Sequence, residues 1–284
     1  MAGDGFDLDH VALATNDAAG TLGHLRRELG ARVFAGERIT ECRYATSYIG
    51  EDHGGSCLEV IEPADDEAIG FVSRFLDTRG EGPHHITFMV PDLRASIDHA
   101  RKLGYTVVKE SHDYPPWREA FLMPDRRHGI VVQFGQSSLA SPAARHRGEI
   151  APAVEAAQLP HVRDGRDRDW WAGIMAVKPR RRVTIDSFVL YSTDLAASRR
   201  LFVEVLRGDE VASAQDDRLQ IRWPGGRLEI RATNGHPGLR EIVVQGLDSP
   251  ISIAGCGFTV AAGPNSHACP PTAALRTDEE TSTC

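Results

Sequence analysis

Four polar side chains stand at matched points of the sequence: His10, Glu59, His85 and Gln133. His10 and Glu59 are 49 residues apart and His85 and Gln133 are 48 apart, as two equivalent half-sites require. Each lies in a short apolar run whose period of two reads as a strand. In Leu8-Asp9-His10-Val11-Ala12-Leu13-Ala14, Val11 and Leu13 share one face, which leaves His10, Ala12 and Ala14 on the other. The same alternation sets His85 opposite Ile86 and Phe88, Glu59 opposite Leu58 and Val60, and Gln133 opposite Val132 and Phe134. His84, the neighbour of His85, is expected on the helix-covered face. One inward histidine is ordinarily a satisfied core residue, and a lone glutamate ordinarily pairs with a basic side chain. Two imidazoles, a carboxylate and an amide oxygen at equivalent positions of a repeat instead suit a borderline divalent cation with positions left open.

The elements that carry these residues recur. After the first strand, Asn16 or Asp17 can cap a helix through Leu22, Leu25 and Leu29 that stops at Gly30. Strands are expected at about Ala31–Ile39, Cys42–Ile49 and Ser56–Ile61. A helix follows at about Asp66–Asp77, burying Ile69, Phe71, Val72 and Phe75. The order then repeats: a strand from His84, a helix opened by Pro91-Asp92-Leu93 and closed at Gly104, and strands at Tyr105–Glu110, Trp117–Met123 and Ile130–Phe134. "LDHVALATND" and "HHITFMVPDL" open the two units, and such internal repetition is a strong organisational signal.

Four segments are expected: a metal-binding module over 1–136, a linker over 137–182, a degenerate and incomplete second module over 183–261, and a disordered tail over 262–284. The linker is rich in Ala, Pro and Arg, with Trp170-Trp171 as a docking element. In the second module a helix is expected over Asp194–Leu206, with strands near Glu210–Ala214, Arg218–Trp223, Arg227–Ala232, Leu239–Val244 and Ile251–Val260. "VTIDSFVLYS" aligns on "FDLDHVALAT", which sets Ser187 in the place of His10. Glu229 falls in the place of Glu59 and Glu241 in that of His85, with no unit complete enough to supply an eighth strand. This half is therefore expected to be metal-free.

Composition limits the partners. Hydrophobic residues make up 41% and charged residues 25% of 284, enough chain for sizeable cores. Net charge is −8, with 40 acidic against 32 basic side chains, which works against nucleic acid and anionic membranes. No apolar run approaches the roughly 20 residues of a membrane span. Met1–Asp9 lacks the basic residues of a secretory leader. The five cysteines show no CxxC spacing and read as reduced thiols. A cytoplasmic protein with a small-molecule substrate is the expectation.

"LDHVALATND", "CLEVIEP", "GEGPHHITFMVPDL" and "HGIVVQFGQ" resemble the vicinal oxygen chelate superfamily, which includes glyoxalase I, extradiol dioxygenases and bleomycin-resistance proteins. The resemblance covers residues 7–136 and lies nearest the methylmalonyl-CoA epimerase members. It implies an α+β glyoxalase-like fold, with paired βαβββ units in a curved sheet around one metal. It also implies His10, Glu59, His85 and Gln133 as ligands of one divalent ion (Zn, Ni, Co, Mn or Fe), and a homodimer as a common assembly. Two positions depart from the epimerase pattern: Gln133 stands where glutamate is usual, and the third strand, Cys42–Tyr48, has no internal carboxylate. The implied activity is that of an epimerase or isomerase moving a proton alpha to a carbonyl through a metal-stabilised enolate. Substrates in view are a methylmalonyl-CoA-like thioester or a polyhydroxy ketone such as 2-epi-5-epi-valiolone. Candidate acid–base residues are Glu59, Glu41, His112 and Glu119, with Tyr114 and His128 also in range. The loop His112–Arg118 is expected to shape the pocket. Alternatives are an extradiol-type Fe(II) dioxygenase, a glyoxalase-type lyase and a metal-free resistance protein.

Overall fold

The computed structural model describes residues 5–39, 41–51, 54–64, 70–114, 117–137, 173–213 and 215–261. Trp170-Trp171, the tail beyond 261, Ile69 and the Pro115-Pro116 step lie outside them, with the expectations attached to each.

The first repeat runs β1 (Asp7–Ala14), α1 (Ala18–Leu29), β2 (Arg32–Arg38), β3 (Cys42–Ile49) and β4 (Ser56–Pro63). α2 (Phe71–Arg79) links it to β5 (Gly82–Met89), α3 (Leu93–Lys102), β6 (Val107–Ser111), β7 (Arg118–Leu122) and β8 (Val131–Gln136). Local chemistry explains the punctuation. The Asp17 carboxylate accepts the Gly20 N–H at 2.8 Å, and Asp92 accepts that of Ala95 at 3.0 Å. Such N-caps each contribute about 1 kcal/mol. Gly30 closes α1 at φ 71°, a left-handed turn that favours glycine.

These strands form one sheet in the order β2-β3-β4-β1-β5-β8-β7-β6, with the two repeats meeting where β1 pairs antiparallel with β5. That pairing contains two bulges, which skip Asp9 on β1 and His84 on β5. A bulge breaks the strict alternation of faces. His84 is therefore not turned to the expected side. It packs against Phe71 and Phe75 of α2, the helix that covers Ala12, Ala14 and Ile61 on the His10 face.

The second module runs β9 (Thr184–Ser192), α4 (Leu195–Arg199, continuing as a π-helical turn over Arg200–Val205), β10 (Asp209–Val211), β11 (Arg218–Trp223) and β12 (Gly226–Ala232). β13 (Gly238–Gln245), β14 (Ile251–Ile253) and β15 (Cys256–Val260) complete it. Its sheet order is β10-β11-β12-β9-β13-β15-β14. The run expected as one strand over Ile251–Val260 is a hairpin, because Ala254 and Gly255 both take positive φ, 45° and 67°. The hairpin corrects a second expectation. β15 pairs parallel to β13 as β8 does to β5, so an eighth-strand position is filled. No helix and no counterpart of β6 separate β13 from β14.

The helix-bearing faces of the two sheets share one core. Phe88 packs against Trp223 at 4.9 Å and Phe202 at 6.2 Å between ring centroids, beside buried Val11, Leu13, Phe188 and Leu190. Ser56 Oγ donates to the Gly225 carbonyl at 2.6 Å, and the Gly225 N–H donates to Asp7. The last part of the expected linker joins this core. Ile174 is 2% exposed, and Arg26 of α1 donates to the Val177 carbonyl at 3.2 Å. With its α1 and α3 side buried against the second module, the first sheet keeps for chemistry the part of its His10 face that α2 does not cover.

Candidate metal centre

β1, β4 and β5 bring His10, Glu59 and His85 together at the middle of the first sheet. In register, Ala12 lies opposite both Glu59 and His85. His10 Nε2 is 3.6 Å and His85 Nε2 3.5 Å from the same oxygen, Glu59 Oε2. The ligand atoms of the three residues all lie within 4.8 Å of one another. Gln133, reached through the parallel pairing of β8 with β5, takes a 2.6 Å hydrogen bond from Thr87 Oγ1, which also lies 2.9 Å from His10 Nε2.

The bulges supply what alternation hides. Asp9 Oδ2 lies 2.8 Å from His10 Nδ1, and His84 Nδ1 lies 2.8 Å from His85 Nδ1. A carboxylate on Nδ1–H fixes the His10 tautomer and turns Nε2 toward the centre. The His84–His85 hydrogen bond likewise helps to orient the His85 ring. Neither residue was legible as part of the site, because neighbours on a regular strand point to opposite faces.

Electrostatics and orphaned atoms both fit a cation here. Burial opposes charge on His10, but Glu59 and Asp9 outweigh it and push its pKa up to about 10. Buried carboxylates on both sides of the ring thus call for positive charge at this point. His85 goes the other way, held well below its ordinary value by burial and then by His84 and His10, which favours the neutral ring. Its Nε2 is buried with no hydrogen-bond partner. An unpaired buried imidazole nitrogen costs about 1–3 kcal/mol, and coordination would satisfy it.

The candidate acid–base residues separate. Glu59 lies between the two imidazoles, in a ligand's position. Glu119, on β7, accepts from Trp117 Nε1 at 2.8 Å and Gln133 Nε2 at 2.6 Å. Burial raises its pKa against those hydrogen bonds, with Glu59 and Glu41 adding to the rise. Trp117 lies over Gly135, where a Cβ would come within 2.9 Å of the indole, so a larger residue at this β8 position would have to displace the ring. Glu41 stands at the rim, 3.5 Å from Lys109 Nζ. His112 lies away from the cluster, 3.3 Å from Glu110 beyond edge strand β6. Tyr114 is exposed, and His128 is buried against Phe202 and Ser198 at the boundary between modules.

The second sheet sets Ser187, Glu229, Glu241 and Thr259 in the corresponding registers. Glu229 Oε1 accepts from Arg231 at 2.7 Å and Arg218 at 3.1 Å, and Glu241 Oε1 accepts from the Tyr191 hydroxyl at 2.5 Å.

Paired βαβββ units closing a curved sheet over a His–Glu–His cluster define a glyoxalase-like module. Residues 9–121 match the Glyoxalase/Bleomycin resistance protein/Dioxygenase superfamily model, and the chain carries a domain of that superfamily. A hypothetical protein from Staphylococcus aureus shares the fold across both modules, with a TM-score of 0.55 at 11% identity over 90% of this chain and 99% of that one. A Streptomyces coelicolor methylmalonyl-CoA epimerase is 29% identical over 48% of this chain and 96% of its own, with a TM-score of 0.42. The Mycobacterium tuberculosis epimerase is 23% identical over 47% and 89%, with a TM-score of 0.41. No curated protein matches the sequence. No helix among the described residues is long and apolar enough to cross a membrane. Cys42, Cys57 and Cys256 are buried thiols, while Cys269 and Cys284 lie outside the described residues.

Proposed function

We propose that the first module holds one divalent cation through His10, Glu59, His85 and Gln133 and moves a proton alpha to a substrate carbonyl, as an epimerase or isomerase. The observation that carries this reading is the approach of two buried imidazole nitrogens to one Glu59 oxygen, with His85 Nε2 otherwise unpartnered. Such a cation supplies Lewis acidity toward two substrate oxygens, which acidifies the adjacent C–H. The chain's own residues do the rest. Asp9 and His84 orient the imidazoles, and Glu119 takes the proton. A base works best with a pKa near ambient pH, and burial shifts Glu119 in that direction. Its hydrogen bond to Gln133 holds the carboxylate beside the ligand set, and Trp117 Nε1 donates to the same oxygen. A methylmalonyl-CoA-like thioester and a cyclitol ketone are the substrates of choice, in a cytoplasmic setting consistent with buried thiols.

The test is solvent-deuterium exchange into methylmalonyl-CoA and 2-epi-5-epi-valiolone by the metal-loaded protein. Wild type should exchange at least one of them without consuming oxygen. Glu119→Gln should slow exchange by about 10²–10⁴ while metal content is unchanged. Full activity in that variant would remove Glu119 from the reaction. Oxygen uptake with catechol cleavage would replace the whole reading with a dioxygenase.

A further inference from the structure

One cation stands at the rim among carboxylates. Lys109 lies on β6 where the register against β7 shifts between Val108 and Ser111, and its φ is 50°. A side chain in this left-handed region costs about 1–2 kcal/mol. Bulges of this kind re-aim a side chain. Here Lys109 Nζ reaches to 4.9 Å from the centre of the Phe71 ring and 3.5 Å from Glu41 Oε1. Phe71 packs on His84 at 5.4 Å, and His84 is bonded to His85, so Lys109 stands two side chains from the cluster.

The contacts of Lys109 stabilise this arrangement little, since an exposed cation–π contact such as that with Phe71 contributes only about 0.5–1 kcal/mol. Lys109 and Glu41 are 51% and 52% exposed, and an ion pair so open to water is worth no more than about 1 kcal/mol. That is no larger than the backbone strain. Strained residues persist where a site uses them, at ligand clamps and switch segments. Carboxylates of Asp9, Glu41, Glu59 and Glu119 stand around the cluster, and Lys109 is an exposed ammonium at their rim.

We propose that Lys109 is a specificity-determining residue that receives an anionic group, a carboxylate or a phosphate, carried by the substrate away from its reacting carbon. The incoming anion replaces Glu41 as the partner of Nζ. This inference rests on the reading of His10, Glu59, His85 and Gln133 as the cation site.

The test uses three chelators that offer a metal the same pair of oxygens: neutral acetohydroxamate, succinohydroxamate with a carboxylate, and phosphonoacetohydroxamate with a phosphonate. Each is titrated calorimetrically into the zinc-loaded full chain. At least one anionic chelator should bind roughly tenfold tighter than acetohydroxamate, as one charge-assisted hydrogen bond implies, and the preferred arm names the anion. Lys109→Gln should erase the preference and leave acetohydroxamate affinity as it was. Lys109→Arg should retain the preference, and Glu41→Gln should widen it. Equal binding of all three chelators to wild type, or a preference that survives in Lys109→Gln, would overturn the proposal. Failure of wild type to bind even acetohydroxamate would overturn the cation site and this inference together, a result distinct from loss of discrimination alone.

Discussion

In the first sheet, Glu59 and His85 flank Ala12 across three strands; in the second, Glu229 and Glu241 flank Val189 in the same registers. Even the bulges recur, skipping Asp9 and His84 in one sheet and Asp186 and Arg240 in the other. The backbone device is therefore common to both modules, and the difference lies in the side chains it presents. With imidazoles at two positions, the first cluster turns two ring nitrogens toward one oxygen of Glu59. With the imidazoles replaced by Ser187 and Glu241, the second has two carboxylates in need of countercharge. Arg231 supplies it from 2.7 Å to Glu229 and 3.6 Å to Glu241, and Arg218 adds a second guanidinium. Arginine keeps its charge at any working pH, so these carboxylates are already neutralised. One scaffold thus presents two different clusters, through exchanged side chains and added guanidinium groups.

The largest expected effect comes from breaking the first cluster alone. His85→Ala should abolish stoichiometric zinc, measured by elemental analysis of purified protein, whereas Glu241→Ala should leave it unchanged. Metal retained by His85→Ala would remove the distinction between the modules.

A second experiment asks whether the modules depend on each other. Phe88 is fully buried between them, against Trp223 and Phe202. Phe88→Ala should cost about 3–5 kcal/mol in chemical denaturation, the range for a large aromatic removed from a core. A loss under about 1 kcal/mol would mean that the shared core does little to hold the halves together.

The smallest effect tests the bulges. Asp9→Asn should weaken zinc binding by about 10–100-fold, the usual cost of losing a carboxylate behind a metal-bound histidine. Asp186→Asn should not change it, since Asp186 accepts from Arg227 and Gln245 at its own sheet. Equal effects of the two substitutions would show that Asp9 acts on the fold and not on the ligand.

Much of this was legible in the sequence because periodicity reports faces. Leu58 and Val60 against Glu59, and Val132 and Phe134 against Gln133, set two of the four polar residues on the correct side without any coordinates. The Asp N-caps Asp17, Asp92 and Asp194 marked where three helices start. Asp9 and His84 escaped because a bulge is a departure from period two, and no residue type announces it here. The β14–β15 hairpin escaped because Ala254 does not signal a positive φ. Glu119 was one carboxylate among several in the sequence. Its burial and its bonds to Trp117 and Gln133, neither of them a local property, separate it from Glu41 and His112.

The proposed cation site places one metal per chain, at the first cluster. Anomalous diffraction at the zinc edge, from crystals of the full chain grown with zinc, tests it most directly. The predicted map has a single strong peak among His10, Glu59, His85 and Gln133. A peak between Glu229 and Glu241, two peaks of equal height, or an empty first cluster would contradict it.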